Sequence, residues 1–205
     1  YEWIAPASNS QDIIMRIVFN ASASSALQAT WRQNRMTNRP GMLVGDDEHT
    51  VQHAMLAVGQ TAPPFTLLTP RFAERTLDDY AGKIKILSVV PSVDTSVCSA
   101  QTRRFNEEAA SLGPDVVVLT ISADAPFALG RYCAAEGIEN TETLSTARDM
   151  QFADDYGVHD INWRMCQRSV FVLDRDNIIQ YAEYVPEMGQ EVDFNAALAK
   201  AKSLI

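Results

Sequence analysis

An almost unbroken apolar run at residues 84–90, with the sequence Ile-Lys-Ile-Leu-Ser-Val-Val, constrains the fold of this chain more than any other feature. Short apolar runs of this kind are typical of strands buried on both faces of a parallel sheet. Pro91 ends the run, because proline cannot donate the next hydrogen bond of a strand ladder. We therefore expect a central strand in a sheet that helices cover.

The pattern after Pro91 alternates between helical and strand spacing. The predicted helices run from Thr95 to Gly113, from Asp124 to Gly137, over a short stretch at 150–156, and over 194–204 at the C-terminus. Asp94 or Thr95 is expected to cap the first of them. The predicted strands are 116–121, a short strand at 143–144, and a hairpin formed by 169–173 and 178–185. Alternation followed by a hairpin predicts an α/β fold with a mixed central sheet flanked by helices.

A β-hairpin is predicted ahead of this sheet. Residues 42–44 and 50–57 read as its strands, and Gly45-Asp46-Asp47-Glu48 reads as an acidic, solvated turn.

Residues 1–40 differ in composition from the rest of the chain. They carry four arginines against two acidic residues, whereas the whole chain has a formal charge of −9. We therefore expect residues 1–40 to be a poorly ordered N-terminal extension and residues 41–205 to be the folded domain. Residues 15–40 are rich in serine and alanine and lack acids, which is only a weak targeting signal, so a cytoplasmic location is expected.

Charge and composition exclude several classes of partner. Acidic residues outnumber basic ones by 26 to 17, which disfavours nucleic acid and anionic membrane surfaces. No apolar run approaches the roughly 18 residues that span a bilayer, so a soluble protein is expected. His49, His53 and His159 lack metal-ligand spacing, and no Cys-x-x-Cys occurs, so neither a metal nor an organic cofactor is expected. A small neutral substrate fits this composition.

Cys98 is the first candidate for chemistry. The stretch Pro-Ser-Val-Asp-Thr-Ser-Val-Cys at 91–98 places it in the first turn of the helix after the central strand, at the sheet edge where α/β folds bind ligands. Unpaired N–H groups and the helix dipole favour a thiolate there. A thiolate can attack a hydroperoxide and become a sulfenic acid, with Thr95 hydrogen-bonding the reacting groups. The alternative is a buried, unreactive Cys98, since free cysteine is among the most buried residue types.

Cys133 lies in the next predicted helix, and taken alone it too could be a core residue. A disulfide requires Cα atoms within about 7 Å, whereas Cys133 lies roughly 13 Å along a helix that starts near Asp124. A bond between Cys98 and Cys133 should then require local unwinding. We expect separated thiols in the reduced protein and at least one remodelled helix in the oxidised protein.

From about Met42 to the C-terminus the chain resembles the thiol peroxidase branch of the peroxiredoxins. The motifs that carry the resemblance are residues 91–98, Arg103 through Asn106, Ile-Ser-Ala-Asp at 121–124 with Pro-Phe-Ala at 126–128, and Leu-Ser-Thr at 144–146. The resemblance implies a thioredoxin-like fold with an N-terminal hairpin, a peroxidatic Cys98 and a resolving Cys133. It also implies recycling by thioredoxin, a homodimer, and activity on hydrogen peroxide and alkyl hydroperoxides.

The resemblance also points to Arg168 and Pro91. Arg168, in Arg-Ser-Val-Phe-Val-Leu-Asp, matches the family's arginine near the thiolate, although an arginine in a surface salt bridge is the alternative. A guanidinium stays charged when buried and offers several donors to sulfur and peroxide oxygens. Pro91 is expected to shape the site and shield the thiolate. Cys166 departs from the family pattern and is expected to be a passive buried thiol, with a second resolving role as the alternative.

Two other functions use the same residues. A redox sensor or binding module could use the Cys98 and Cys133 switch to alter a partner-facing surface, and sustained peroxide turnover would argue against it. A general disulfide reductase is disfavoured by the missing Cys-x-x-Cys.

Overall fold

The apolar run of the sequence forms a strand in the middle of a seven-stranded sheet. All six residues of Ile84–Val89 are buried. This strand pairs in parallel with Val116–Ser122 on one side and antiparallel with Ser169–Leu173 on the other. The predicted mixed α/β sheet is therefore confirmed.

The computed structural model describes residues 37–205, which form one compact unit. Its strands are β1 (Arg39–Val44), β2 (Asp47–Gln52), β3 (Thr66–Leu68), β4 (Glu74–Thr76), β5 (Ile84–Val89), β6 (Val116–Ser122), β7 (Glu142–Ser145), β8 (His159–Asp160), β9 (Met165–Cys166), β10 (Ser169–Leu173) and β11 (Ile179–Tyr184). Its helices are α1 (Ser96–Ala109), α2 (Pro126–Glu136), α3 (Gln151–Asp155) and α4 (Phe194–Lys202), with a 3₁₀ helix at Leu77–Tyr80. Most of the predicted N-terminal extension, including its targeting segment up to Met36, lies outside the described residues.

The large sheet has the strand order β11-β10-β5-β6-β7-β3-β4. Strands β5, β6 and β7 run parallel, and each remaining neighbour is antiparallel. One face packs against α1 and α4, where Phe105 and Phe194 meet strand residues such as Ile86 and Val172. On the other face Tyr156 stacks on Phe152 and contacts Phe171 edge-on. No helix in residues 37–205 is both long enough and apolar enough to cross a membrane.

The N-terminal hairpin is confirmed, but its turn is shorter than the sequence predicted. Gly45 takes a φ of 63°, so the chain reverses over Gly45 and Asp46, and Asp47 already pairs with Val44. The second strand ends at Gln52, where His53 takes a positive φ of 70°. The hairpin also belongs to a separate four-stranded sheet, β1-β2-β8-β9, whose last two strands the sequence analysis missed.

Gly157 allows the chain to turn sharply between α3 and β8. Its φ is +63°, and a Cβ atom built on it would overlap the carbonyl oxygen of Ala54. Its own carbonyl accepts a hydrogen bond from Arg39 Nη2 at 2.8 Å, which ties the hairpin to this turn. Both the backbone angle and the close approach therefore require glycine.

We predict that Gly157→Ala lowers the free energy of unfolding by roughly 3 kcal/mol, because it combines a left-handed alanine with a backbone clash. Gly189→Ala is the matched control, since a Cβ there meets no atom within 4 Å and its φ lies outside the left-handed region. Urea unfolding of both variants tests this. Equal stability of the two variants would contradict the argument.

Candidate active site

Cys98 lies where the sequence places it, in the first turn of the helix that follows the central strand. The chain leaves β5, crosses a loop that starts at Pro91, and enters α1 with Thr95 at the N-cap in an extended conformation. Cys98 is fully buried. Its sulfur is therefore screened from bulk water and depends on protein groups for hydrogen bonding.

Two polar groups contact the Cys98 sulfur. Thr95 Oγ1 lies 2.7 Å from Sγ, and Arg168 Nη2 lies 3.3 Å from it. Thr95 holds the N-cap position that the sequence predicted, but its hydroxyl makes no capping bond to the helix backbone. The hydroxyl instead faces the sulfur and the carbonyl oxygen of Ser92, 3.3 Å away. The Thr95 hydroxyl thus contacts the Cys98 sulfur and does not cap the helix.

Arg168 lies just before β10 and is only 1% exposed, which rules out the alternative of a surface salt bridge. Its guanidinium donates to Gln101 Oε1 at 2.8 Å and to the carbonyl oxygen of Met188 at 2.9 Å. Within residues 37–205 it lies within ion-pair distance of no carboxylate, and its Nε has no hydrogen-bond partner there. The guanidinium is therefore held by two neutral oxygen acceptors and by its contact with the Cys98 sulfur.

Gln101 fixes the position of this arginine, and the sequence analysis missed it. It is buried on α1, and its Nε2 donates to Ser88 Oγ at 2.8 Å. Gln101 follows Cys98 by three residues, so both face the same side of the helix. The sequence signal that could have identified Gln101 is a polar side chain three residues after Cys98, on the same face of the helix.

The loop before α1 is held by Asp124, whose motif the sequence analysis quoted without giving the residue a role. Its carboxylate accepts hydrogen bonds from Ser92 Oγ and from the backbone N–H of Val93, each at 2.8 Å. Ser122 Oγ donates to the same carboxylate at 2.8 Å. Pro91 is buried in this loop, and no polar contact links it to the sulfur. Asp124 therefore braces the loop that carries Pro91 and leads to Cys98.

Cys133 lies on α2, half-buried, with its Sγ 3.1 Å from Thr143 Oγ1 of β7. Helix α2 begins with Pro126, not with Asp124, and ends at Gly137 in the left-handed conformation. Cys98 and Cys133 both border an apolar cluster that includes Val93 and Leu129, yet all three cysteines of the chain are free. The two thiols thus have different polar partners and are unbonded in this structure.

Cys166 is a fully buried residue of β9, as expected for a passive thiol. Burial raises the pKa of the Cys166 thiol well above its ordinary value, and the nearby charges of Asp124 and Asp154 act in the same direction. The thiolate, which is the reactive form, is therefore scarce at neutral pH. No cluster of residues able to hold a metal ion occurs in the part of the chain that the structure describes.

Comparison with known proteins identifies the family of this chain. The family model described as Redoxin matches residues 57–198. A thiol peroxidase of Bacillus subtilis is 53% identical over 148 residues, which is 72% of this chain and 88% of that protein. A thiol peroxidase of Streptococcus sanguinis is 50% identical over 149 residues, covering 73% of this chain and 91% of that protein.

Solved structures give the same fold. A peroxiredoxin-like protein from Aquifex aeolicus superposes with a TM-score of 0.74 at 29% identity, covering 82% of this chain and 99% of that one. A thiol peroxidase from Chromobacterium violaceum, at 22% identity, superposes with a TM-score of 0.68 over 76% of this chain and 90% of that one. The predicted thioredoxin-like fold is therefore confirmed. By sequence and by fold, the chain belongs to the Redoxin family and, within it, to the thiol peroxidase branch of the peroxiredoxins.

Proposed function

We propose that this protein is a thiol-dependent peroxidase in which Cys98 reduces hydroperoxides. The observation that carries the proposal is the buried Cys98 sulfur, which lies 2.7 Å from the Thr95 hydroxyl and 3.3 Å from the Arg168 guanidinium. A fixed positive charge beside a thiol favours the thiolate, which is the nucleophile in attack on peroxide oxygen. Membership in the thiol peroxidase branch supports the same conclusion.

In the first step the Cys98 thiolate attacks the terminal oxygen of the hydroperoxide. A sulfur–oxygen bond forms and the oxygen–oxygen bond breaks, so sulfur is oxidised to a sulfenic acid and the other oxygen leaves as an alkoxide or hydroxide. The leaving oxygen takes up a proton and departs as an alcohol or water.

Thr95 and Arg168 stabilise the charge that moves during this step. During the step, negative charge shifts from the sulfur to the departing oxygen. Hydrogen-bond donors that already contact the sulfur can also bind that oxygen without large rearrangement. The Nε–H of Arg168 is buried and has no hydrogen-bond partner in residues 37–205, so it is a further donor available to a bound hydroperoxide. Pro91 is buried in the loop and shields the site from water.

In the second step Cys133 condenses with the Cys98 sulfenic acid. A sulfur–sulfur bond forms, water leaves, and an intramolecular disulfide results. Cys133 faces Thr143 in this structure, so at least one of the helices α1 and α2 is expected to unwind or turn when the two sulfurs bond. Cys166 takes no part, because its thiol is buried and its pKa is raised.

Further assignments rest on family membership. We propose that hydrogen peroxide and alkyl hydroperoxides are the substrates, that thioredoxin reduces the Cys98–Cys133 disulfide, and that the protein is a cytoplasmic homodimer. The electrons come from thiols, so the proposed cycle uses neither a metal nor an organic cofactor.

We predict that Cys98→Ser abolishes peroxidase activity, whereas Cys133→Ser performs one turnover and is not recycled by thioredoxin. The measurement is intact mass after one equivalent of cumene hydroperoxide, followed by non-reducing peptide mapping. The unsubstituted protein should lose two hydrogens, located in a Cys98–Cys133 bond. Sustained thioredoxin-coupled turnover by Cys133→Ser, or a bond through Cys166, would overturn the resolving assignment. A disulfide without sustained turnover in the unsubstituted protein would favour a redox sensor.

We also predict that Arg168→Met and Thr95→Val slow the first step by about 10²-fold or more, because each removes a donor aimed at the reacting atoms. Stopped-flow consumption of hydroperoxide under pseudo-first-order conditions measures this. Thr95→Ser keeps the hydroxyl and should retain most of the rate. Arg175→Met is the control for loss of a charge, since Arg175 is an exposed arginine that bonds Leu204. Rates within twofold of the unsubstituted protein for Arg168→Met would refute the role of the guanidinium.

The raised pKa of Cys166 gives a prediction about thiol labelling. A raised folded-state pKa keeps the thiol protonated at neutral pH, so alkylation of Cys166 by iodoacetamide should be slow in the native protein and rapid in urea. Peptide mapping after timed labelling tests this, with Cys133 as the half-buried internal comparison. Native labelling of Cys166 as fast as that of Cys133 would show that the thiol is accessible.

A further inference from the structure

The two helices that carry Cys98 and Cys133 are joined by a series of polar contacts. We call this set the interhelix seam, and it consists of Asp94–Arg131, Ser99–Tyr132 and Arg103–Glu136. Each contact joins α1 or the loop before it to α2. The seam therefore connects the immediate chain neighbours of the two cysteines, since Ser99 follows Cys98 and Tyr132 precedes Cys133.

Tyr132 makes the buried contact of the seam. Its side chain is only 6% exposed and belongs to the apolar cluster that also contains Cys98. Its hydroxyl lies 3.1 Å from Ser99 Oγ and donates to the carbonyl oxygen of Ser99 at 3.2 Å. Burial raises the pKa of Tyr132, so the phenol stays a neutral donor at neutral pH. The Tyr132–Ser99 contacts are part-buried, and such hydrogen bonds stabilise more than exposed ion pairs do.

Arg103 and Glu136 lie next to the Ser99–Tyr132 hydrogen bond and orient the Ser99 hydroxyl. Arg103 donates through Nη1 to both Ser99 Oγ and Glu136 Oε2, each at 2.8 Å. The Ser99 hydroxyl, which accepts from Arg103, is thus free to give its own proton to Tyr132. The Arg103–Glu136 pair is about half exposed on each side, so it is expected to add little energy by itself.

This arrangement opposes disulfide formation. Successive residues of an α-helix point about 100° apart, so Tyr132 and Cys133 face different directions, the first toward α1 and the second toward Thr143. Because Ser99 follows Cys98 on α1 and Tyr132 precedes Cys133 on α2, unwinding either helix at its cysteine is expected to separate the Tyr132 hydroxyl from Ser99. The hydrogen bond therefore stabilises the reduced arrangement relative to the one that forms the disulfide.

We propose that Tyr132 is a positioning residue that limits the rate at which Cys133 resolves the Cys98 sulfenic acid. The inference rests on the proposed peroxidase function and concerns how its two steps compete. The sulfenic acid either condenses with the Cys133 thiol, losing water, or attacks a second hydroperoxide as its anion. In the second case a new sulfur–oxygen bond forms and the oxygen–oxygen bond breaks, which gives a sulfinate and an alcohol. If the contact between Tyr132 and Ser99 breaks more slowly, the sulfenic acid persists longer and more of it is oxidised to the sulfinic acid. Tyr132 thereby sets the hydroperoxide concentration at which the protein inactivates.

The test compares Tyr132→Phe, which removes only the hydroxyl, with the unsubstituted protein and with Tyr181→Phe. Tyr181 is the matched control because its hydroxyl bonds Glu183 on β11, far along the chain from the seam. Each protein is cycled with thioredoxin at increasing cumene hydroperoxide, and intact mass gives the fraction of sulfinic acid per turnover. Tyr132→Phe should need roughly fivefold more hydroperoxide for the same fraction, which corresponds to about 1 kcal/mol. Its first-step rate should be unchanged.

A second variant and a second measurement exclude a general loss of stability. Glu136→Gln weakens only the exposed part of the seam and should shift the inactivating concentration in the same direction by less than Tyr132→Phe. In the reduced protein, amide hydrogen exchange within Pro126–Glu136 should quicken in Tyr132→Phe, while exchange in Phe194–Lys202 stays unchanged.

The outcomes separate this inference from the proposed function. If the unsubstituted protein forms no Cys98–Cys133 bond with hydroperoxide, the proposed function fails and the role of Tyr132 fails with it. If that bond forms but Tyr132→Phe inactivates at the same or a lower hydroperoxide concentration, the role of Tyr132 alone is overturned. A shift in Tyr181→Phe equal to that in Tyr132→Phe would also overturn it.

Discussion

The structure of the site depends on one buried cation. Arg168 is almost fully buried, and in residues 37–205 it forms no salt bridge, so its charge is balanced by hydrogen bonds to neutral groups and by the Cys98 sulfur. Burying an uncompensated guanidinium costs several kcal/mol. The hydrogen bonds to Gln101 and Met188 and the contact with the Cys98 sulfur offset part of that cost. The burial of Arg168 therefore depends on the same sulfur that the proposed chemistry uses.

Strand register brings the parts of the site together from distant positions in the sequence. Ser169 pairs with Val89 at the end of β5, which places Arg168 beside the loop that leads into α1. Ser88 of β5 accepts a hydrogen bond from the Gln101 amide, and Gln101 Oε1 in turn accepts one from Arg168. Contacts from the strand and from α1 therefore position the arginine together. A slip of one residue between β5 and β10 would turn Arg168 to the opposite face. The pairing register of β5 and β10, together with the Gln101 hydrogen bonds, thus sets the position of Arg168 in the candidate site.

The sequence predicted the elements whose signal is local and missed those that depend on partners. The β5 and β10 strands are continuous apolar runs, and Cys98 and Thr95 lie at a spacing that a helix start explains. Strands β8 and β9 are two residues each, and no periodicity reveals them, because β8 forms by pairing with β2 and β9 by pairing with β8. Arg168 was found through resemblance. The Met188 carbonyl that holds it is a backbone group, which has no side-chain signature.

Cys98 and Cys133 are held by different sets of contacts. These contacts indicate which helix is expected to open in the proposed peroxidase cycle. Cys98 is fixed by buried contacts to Arg168 and Thr95, on a helix that packs against the main core. Helix α2 is tied to α1 and the loop before it by two part-buried contacts between Tyr132 and Ser99 and by two exposed ion pairs, and exposed pairs contribute about 0–1 kcal/mol each. Local opening follows the weakest set of contacts. In the proposed cycle, α2 is therefore the element expected to open, whereas Cys98 has the larger set of buried contacts, including the one to Arg168.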